Sequence, residues 1–316
     1  MKTERIFKKL IVFILLITLC AAGLPAQKTQ AADNSGSAAA SVELERPVIT
    51  ALKNTSQGIK VSWDIVDDAD YYCVYRKTSG DSGFKKIGQT ESCEYVNSPE
   101  YDLRGSKIAY KVRAVAVDSE KNKVLSPVSE VKTINFLYRP DQHMMKVSVT
   151  GTGVALRVPS MQKAAGIIIY RKGPDEAAFT RIAKISEKSG MYYTYTDTEL
   201  TEGKYSYKVC YYKGSSKSAV SEVRALCTEA PSLKVRKTAN TTKLSWNAAA
   251  GANRYQIYWS DTGSSYKCIA DTDETAYVIK GYPEDYMYGS YKVRPYFKDT
   301  GRTYFGPFSA AQAAEK

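Results

Sequence analysis

Ile59-Lys60-Val61-Ser62-Trp63, followed six residues later by Ala69 and then by Tyr72-Cys73-Val74-Tyr75-Arg76, is the stretch on which the fold turns. Ile59, Val61 and Trp63 fall on one side of an extended chain, with Lys60 and Ser62 on the other. That alternation marks a half-buried β-strand. The same pattern occurs twice more. Val154-Ala155-Leu156-Arg157-Val158 leads to Ala164 and to Ile167-Ile168-Ile169-Tyr170-Arg171, and Thr242-Lys243-Leu244-Ser245-Trp246 leads to Ala252 and to Tyr255-Gln256-Ile257-Tyr258-Trp259. A ring and an isoleucine follow each time: Phe84 and Ile87, Phe179 and Ile182, Tyr266 and Ile269. A later strand reads Tyr110-Lys111-Val112, Tyr207-Lys208-Val209 and Tyr291-Lys292-Val293, and each copy closes on a run ending in Ser129, Ser221 or Ser309. These serines stand 92 and 88 residues apart, which is the size of a domain and not of a solenoid repeat.

After the first 31 residues no segment carries a sustained helical stripe. Turn clusters such as Ser79-Gly80-Asp81-Ser82-Gly83 and Lys213-Gly214-Ser215-Ser216 separate the apolar runs. Short strands at regular spacing with turns between them predict an all-β chain of sandwiches. Trp63, Ala69, Tyr72, Val74, Tyr110 and Val112 together resemble the framework of a fibronectin type III domain. The resemblance covers roughly residues 45–312. It implies three tandem, immunoglobulin-like, seven-stranded β-sandwiches, over 45–135, 136–227 and 228–312, joined by short linkers near Phe136–Gln142 and Thr228–Pro231. The middle copy departs from the pattern, because Val158 stands where the other two have tryptophan and Pro159 follows it. Less buried area at that site predicts a weaker middle sandwich. The Arg-Gly-Asp tripeptide of some integrin-binding members is absent. Arg104-Gly105-Ser106 is close in letters only, and it precedes the late strand instead of following it.

Residues 1–31 read as a secretory signal peptide: basic Lys2, Arg5, Lys8 and Lys9, an apolar run from Leu10 to Leu24, and small residues around Ala31. Residues 32–44 read as a flexible leader rich in Ala, Ser and Gly. The chain carries a formal charge of +12, of which +4 leaves with the signal. The remainder divides as 0 over 43–135, +6 over 136–227 and +3 over 228–316, with Asp33 contributing −1. No second long apolar run follows, so export without stable membrane insertion is the expectation. Export of such units without a cysteine framework resembles bacterial usage.

One histidine, His143, leaves no room for a multi-histidine metal site or an ordinary His-based triad. Past the signal there are five cysteines, Cys73, Cys93, Cys210, Cys227 and Cys268, an odd number without C-x2-C spacing. They are isolated thiols, or one pair joins within the first copy (Cys73–Cys93) or the second (Cys210–Cys227). Asp64, Asp67, Asp68 and Asp70 cluster in one loop but lack EF-hand spacing and read as solvated turn residues. Asn54-Thr55-Ser56 and Asn240-Thr241-Thr242 have the form of glycosylation acceptors in a eukaryotic secreted protein. The most suggestive binding feature is the last hairpin, where Tyr296, Lys298, Arg302 and Tyr304 set rings beside cations.

The expectation is a non-enzymatic extracellular or cell-surface protein with no catalytic, cofactor or metal residues. It presents loops to an extracellular protein, a glycan or an anionic cell-wall polymer, and not to nucleic acid. A passive spacer is the alternative, and an accessory module of a secreted carbohydrate-active system the third.

Overall fold

The computed structural model describes residues 43–150, 153–238, 240–280 and 289–313. The signal peptide and nearly all of the leader lie outside them. The first copy runs β1 (Ile49–Thr55), β2 (Gly58–Trp63), β3 (Tyr71–Lys77), β4 (Lys85–Thr90), β5 (Glu94–Asn97) and β6 (Lys107–Val117), and its last strand comes in two pieces, β7 (Lys123–Leu125) and β8 (Lys132–Asn135). The second repeats this with β9 (Lys146–Thr150), β10 (Gly153–Pro159), β11 (Gly166–Lys172), β12 (Thr180–Ile185), β13 (Tyr192–Asp197), β14 (Gly203–Lys213), β15 (Ser216–Lys217) and β16 (Ser221–Cys227). The third has β17 (Lys234–Lys237), β18 (Thr241–Ser245), β19 (Arg254–Ser260), β20 (Lys267–Thr272), β21 (Ala276–Lys280), β22 (Ser290–Asp299), β23 (Arg302–Phe305) and β24 (Gln312–Ala313). With the divided last strand counted once, each copy has seven strands.

A three-stranded sheet (β1-β2-β5, β9-β10-β13, β17-β18-β21) faces a larger sheet (β4-β3-β6, β12-β11-β14, β20-β19-β22, each with its divided last strand). All-β sandwiches are therefore the fold, as the alternation predicts. A β-bulge recurs at one place in all three, at Val74/Tyr75, Ile169/Tyr170 and Ile257/Tyr258. Bulges re-aim the strand that carries them.

In the outer copies a tryptophan and a tyrosine meet in the core, Trp63 with Tyr72 at 5.3 Å between centroids and Trp246 with Tyr255 at 5.5 Å. Each tyrosine oxygen accepts a backbone N–H from the loop before it, Val66 at 2.8 Å and Ala249 at 3.0 Å. The middle copy has Val158 and Ile167 in those places, and two other rings fill the space. Tyr193 pairs with Val158 in register, and Tyr211 pairs with Ile167. The corresponding residue on the late strand is Ala114 opposite Tyr72 and Pro295 opposite Tyr255. Tyr193 and Tyr211 are buried in the middle core, and the Tyr211 hydroxyl donates to the Pro159 carbonyl. The loss of tryptophan is thus a redistribution of ring volume and not a cavity.

The tyrosine of each Tyr-Lys-Val run is fully buried. Tyr110 donates to Asn97 Oδ1 at 2.7 Å, and Tyr207 donates to Asp197 Oδ2 at 2.8 Å, where Arg171 also reaches the carboxylate at 3.3 Å. A buried hydroxyl needs such a partner.

The sandwiches pack on one another within one compact unit. At the first junction Phe136 belongs to the first core and Leu137 to the second, both buried. Asn54 is 1% exposed and uses its whole amide: Nδ2 donates to the Asn135 and Lys217 carbonyls at 3.0 Å each, and Oδ1 accepts the Leu137 N–H at 3.2 Å. Its buried, committed nitrogen closes this asparagine to glycosylation in the folded chain, whereas Asn240 is exposed. Lys213 Nζ donates to the Gly105 carbonyl at 2.8 Å. Gly105 has φ +69°, and a Cβ there would lie 2.5 Å from Lys163 Cβ, so glycine is required at the contact. The Arg104-Gly105-Ser106 tripeptide is a junction element. At the second junction β16 and β23 pair in parallel at Ala225 and Phe305, which joins the larger sheets of copies two and three.

Candidate binding surface

The last hairpin divides the four residues singled out in the sequence. Tyr296 and Tyr304 are buried, at 5% and 7% exposure, while Lys298 and Arg302 are exposed near the tip. The Tyr296 hydroxyl donates to Asp271 and accepts Arg254 Nε at 2.9 Å. Desolvation, and then the Asp271 hydrogen bond, push this phenol up. Tyr304 sits with its ring 5.9 Å from the Arg224 guanidinium of the preceding copy, and Lys204 Nζ of that copy stands 3.8 Å over Phe297. Tyr296 is thus spent inside copy three, and Phe297 and Tyr304 meet cations of copy two, so these rings are not free stacking platforms. The corresponding hairpin of copy two, between Lys213 and Ser216, is spent in the same way against copy one: Ser216 Oγ accepts the Asn135 N–H at 3.0 Å.

The outer face of the larger sheet remains open, and it repeats. In every copy the lysine of the Tyr-Lys-Val run lies over the ring that precedes the fourth strand: Lys111 over Phe84 at 4.7 Å, Lys208 over Phe179 at 4.0 Å and Lys292 over Tyr266 at 4.1 Å. A cation above a ring face is held electrostatically and loses less side-chain freedom when it meets a ligand. Sequence comparison shows both members of the pair. It does not show that they meet, because a bulged strand and a turn lie between them.

Charge sorts by sheet instead of by copy. The strands of the larger sheet of copy one, β3, β4, β6, β7 and β8, contain no Asp or Glu. Those of copy two contain only Glu222, which Arg224 holds at 2.7 Å with Lys208 at 4.0 Å. Those of copy three contain Asp271, paired with Arg254, and Asp299. The zero net charge of copy one hides this, since its acids lie in loops and on the other sheet, where Glu94 pairs with Lys60.

In copy two this basic face coincides with the highest net charge of the three copies. Along β14 the residues Tyr205, Tyr207, Val209 and Tyr211 point into the core, so Lys204 and Lys208 point outward. Lys184 on β12 stands 4.5 Å over Tyr212, and Lys217 Nζ donates to the Tyr170 hydroxyl at 3.3 Å. Arg181 pairs with Tyr170 in register and is exposed.

A groove of about 510 Å³ at the first junction is lined by Tyr101, Arg104, Tyr138, Asp141 and Gln162, among others. One of about 380 Å³ at the second includes His143, Lys146, Arg224 and Arg294. His143 is exposed there. None of Cys73, Cys93, Cys210, Cys227 and Cys268 is joined in a disulfide, and burial pushes the Cys210 and Cys227 thiols up, away from the reactive thiolate. Asp70 Oδ2 accepts the Val117 N–H at 2.8 Å, and among the described residues no three His, Cys, Asp or Glu side chains are placed to hold a metal ion. No helix of the described residues is long and apolar enough to cross a membrane.

No family model matches the chain, and no curated protein matches it. Among solved structures it is similar to the crystal structure of the chicken CNTN1 FN1-FN3 domains, at 14% identity over 85% of this chain and 98% of that one, with a TM-score of 0.26. The fold rests on the strand order and register described above.

Proposed function

We propose that this chain is a non-enzymatic binding protein of the extracellular space or cell surface, built from three tandem sandwiches that hold their outer sheet faces open. The observation that supports this is the acid-poor outer face of the larger sheet, with a lysine set over a ring at the same position in every copy. A sequence used only as a spacer has no need to keep carboxylates scarce on this face in all three copies. The contacts at the junctions, with Phe136 in one core and Leu137 in the next, favour the spacer as the second reading, because they stiffen the chain. The two are separated by presenting the full chain to cell envelopes, glycans and secreted proteins at low salt. Retention that declines with salt is the expected result, and retention by none of them leaves the spacer.

A further inference from the structure

We infer that the outer face of the copy-two sheet (β12, β11, β14, β15 and β16) binds a linear phosphodiester-linked polymer that carries no bases, of the polyol-phosphate kind. This deepens the binding function proposed above and rests on it. Four observations select that chemistry.

The first is charge. Lys184, Lys204, Lys208 and Lys217 lie outward, and among the described residues their one carboxylate partner is Glu222, which is 4.0 Å from Lys208 and already held by Arg224. Within a screening length of roughly 8–10 Å, a polyanion on this face meets mostly positive potential. The second is arrangement. Arg181, Tyr170, Lys208 and Glu222 form one row across the sheet, and Lys172, Ser206 and Arg224 the next. Strands about 5 Å apart and same-face rows about 7 Å apart place the cations on a lattice that a flexible chain of repeated charges can follow.

The third is the state of the rings. Phe179, Tyr212 and Phe297 each already have a lysine over them, at 4.0, 4.5 and 3.8 Å. A neutral sugar or a nucleobase would need a bare ring to stack on. These rings support cations instead. The fourth is the type of cation. The planar fork of arginine matches carboxylate and phosphate alike; here Arg224 is engaged by Glu222, and Arg181 is the other arginine of these rows. The remaining cations are chiefly lysines, which act as point charges suited to phosphate. Copy one has the same face but is surrounded by acidic loops, with Asp118 and Glu120 exposed beyond β6, so it is the weaker site.

The test is titration of the full chain with synthetic poly(glycerol phosphate), with hyaluronan and single-stranded DNA in parallel. Tight binding to the phosphate polymer is expected at low salt, falling steeply as salt rises because bound counterions are released. The triple variant Lys184→Gln, Lys208→Gln, Lys217→Gln should lose at least about tenfold in affinity, with an unchanged far-ultraviolet circular dichroism spectrum. Lys111→Gln in copy one should change affinity by less than about threefold. The inference is overturned by absence of binding to poly(glycerol phosphate), by a triple variant that binds as the parent does, or by tighter binding of hyaluronan or DNA. If envelopes retain the chain while the polymer does not, only this ligand assignment falls; if nothing retains it, the binding function falls as well.

Discussion

Copy two and its neighbours solve one packing problem in two ways. In copies one and three, a tryptophan at the end of the second strand meets a tyrosine at the start of the third. In copy two both rings are gone, and Tyr193 and Tyr211, from the fifth and sixth strands, enter the same space from the other side. A core selects for total volume and shape more than for the strand that supplies the ring. A family framework read position by position therefore marks copy two as deficient when its core is full.

The sharpest way to break this comparison is to remove the rings. Trp63→Ala and Trp246→Ala should each cost about 3–5 kcal/mol, and Tyr211→Ala should cost as much in copy two, whereas Val158→Ala costs clearly less. Copy two contains no tryptophan, so indole fluorescence follows copies one and three and circular dichroism adds copy two. A Tyr211→Ala variant with the parent's denaturation curve would show that the ring does not carry that core.

Alkaline titration separates the copies next. Burial pushes the phenols of Tyr110, Tyr207 and Tyr291 up, Tyr291 to about 12, and the Asp197 hydrogen bond adds to the rise at Tyr207. A raised phenol contributes stability that is complete below about pH 10, the unfolded value, and is lost as pH climbs through the folded value. For Tyr291 the loss is on the order of 2–3 kcal/mol across about pH 10 to 12. Denaturation midpoints measured against pH should be flat to about pH 9 and then fall. A midpoint that stays level through that window would contradict the neutral buried phenol.

Asn54→Ala removes three hydrogen bonds at the first junction and leaves buried backbone groups unpaired, at a cost of about 1–3 kcal/mol. Copies one and two should then unfold in separate transitions in a calorimetric scan. A single transition at the parent temperature would mean that Phe136 and Leu137 carry the junction alone. The smallest effect is expected from Tyr211→Phe, which keeps the ring and loses only the bond to Pro159, at about 1 kcal/mol in urea unfolding.

The alternation of Ile59, Val61 and Trp63 and its two repeats made the strands and the sandwich class legible, because side-chain direction along a strand follows from a period of two. The late hairpin was legible as a hairpin but not as a junction. Tyr296 and Tyr304 have the same letters whether they face solvent or protein; Tyr296 is taken up by Asp271 and Arg254 of its own copy, and Tyr304 stands by Arg224 of copy two. Asn54 was legible as a glycosylation sequence and turned out to be a clamp. Its partners at Asn135, Leu137 and Lys217 lie far along the chain. The excess charge of copy two was legible as a number, but not as a face. Net charge per copy averages over loops and both sheets, and it cannot show which residues share a surface.

By itself, the sequence determined the repeat, the strands, the alternating core positions and the tryptophan that copy two lacks. These follow from local periodicity, which the backbone enforces residue by residue. Tertiary structure alone decided that Tyr193 and Tyr211 stand beside Val158 and Ile167, where the other copies have a tryptophan and a tyrosine, that the hairpins close the junctions, and that Lys111, Lys208 and Lys292 stand over rings on open faces. Those facts depend on which strands pair and which sandwiches touch, and contacts of that kind join residues that local patterning leaves unrelated.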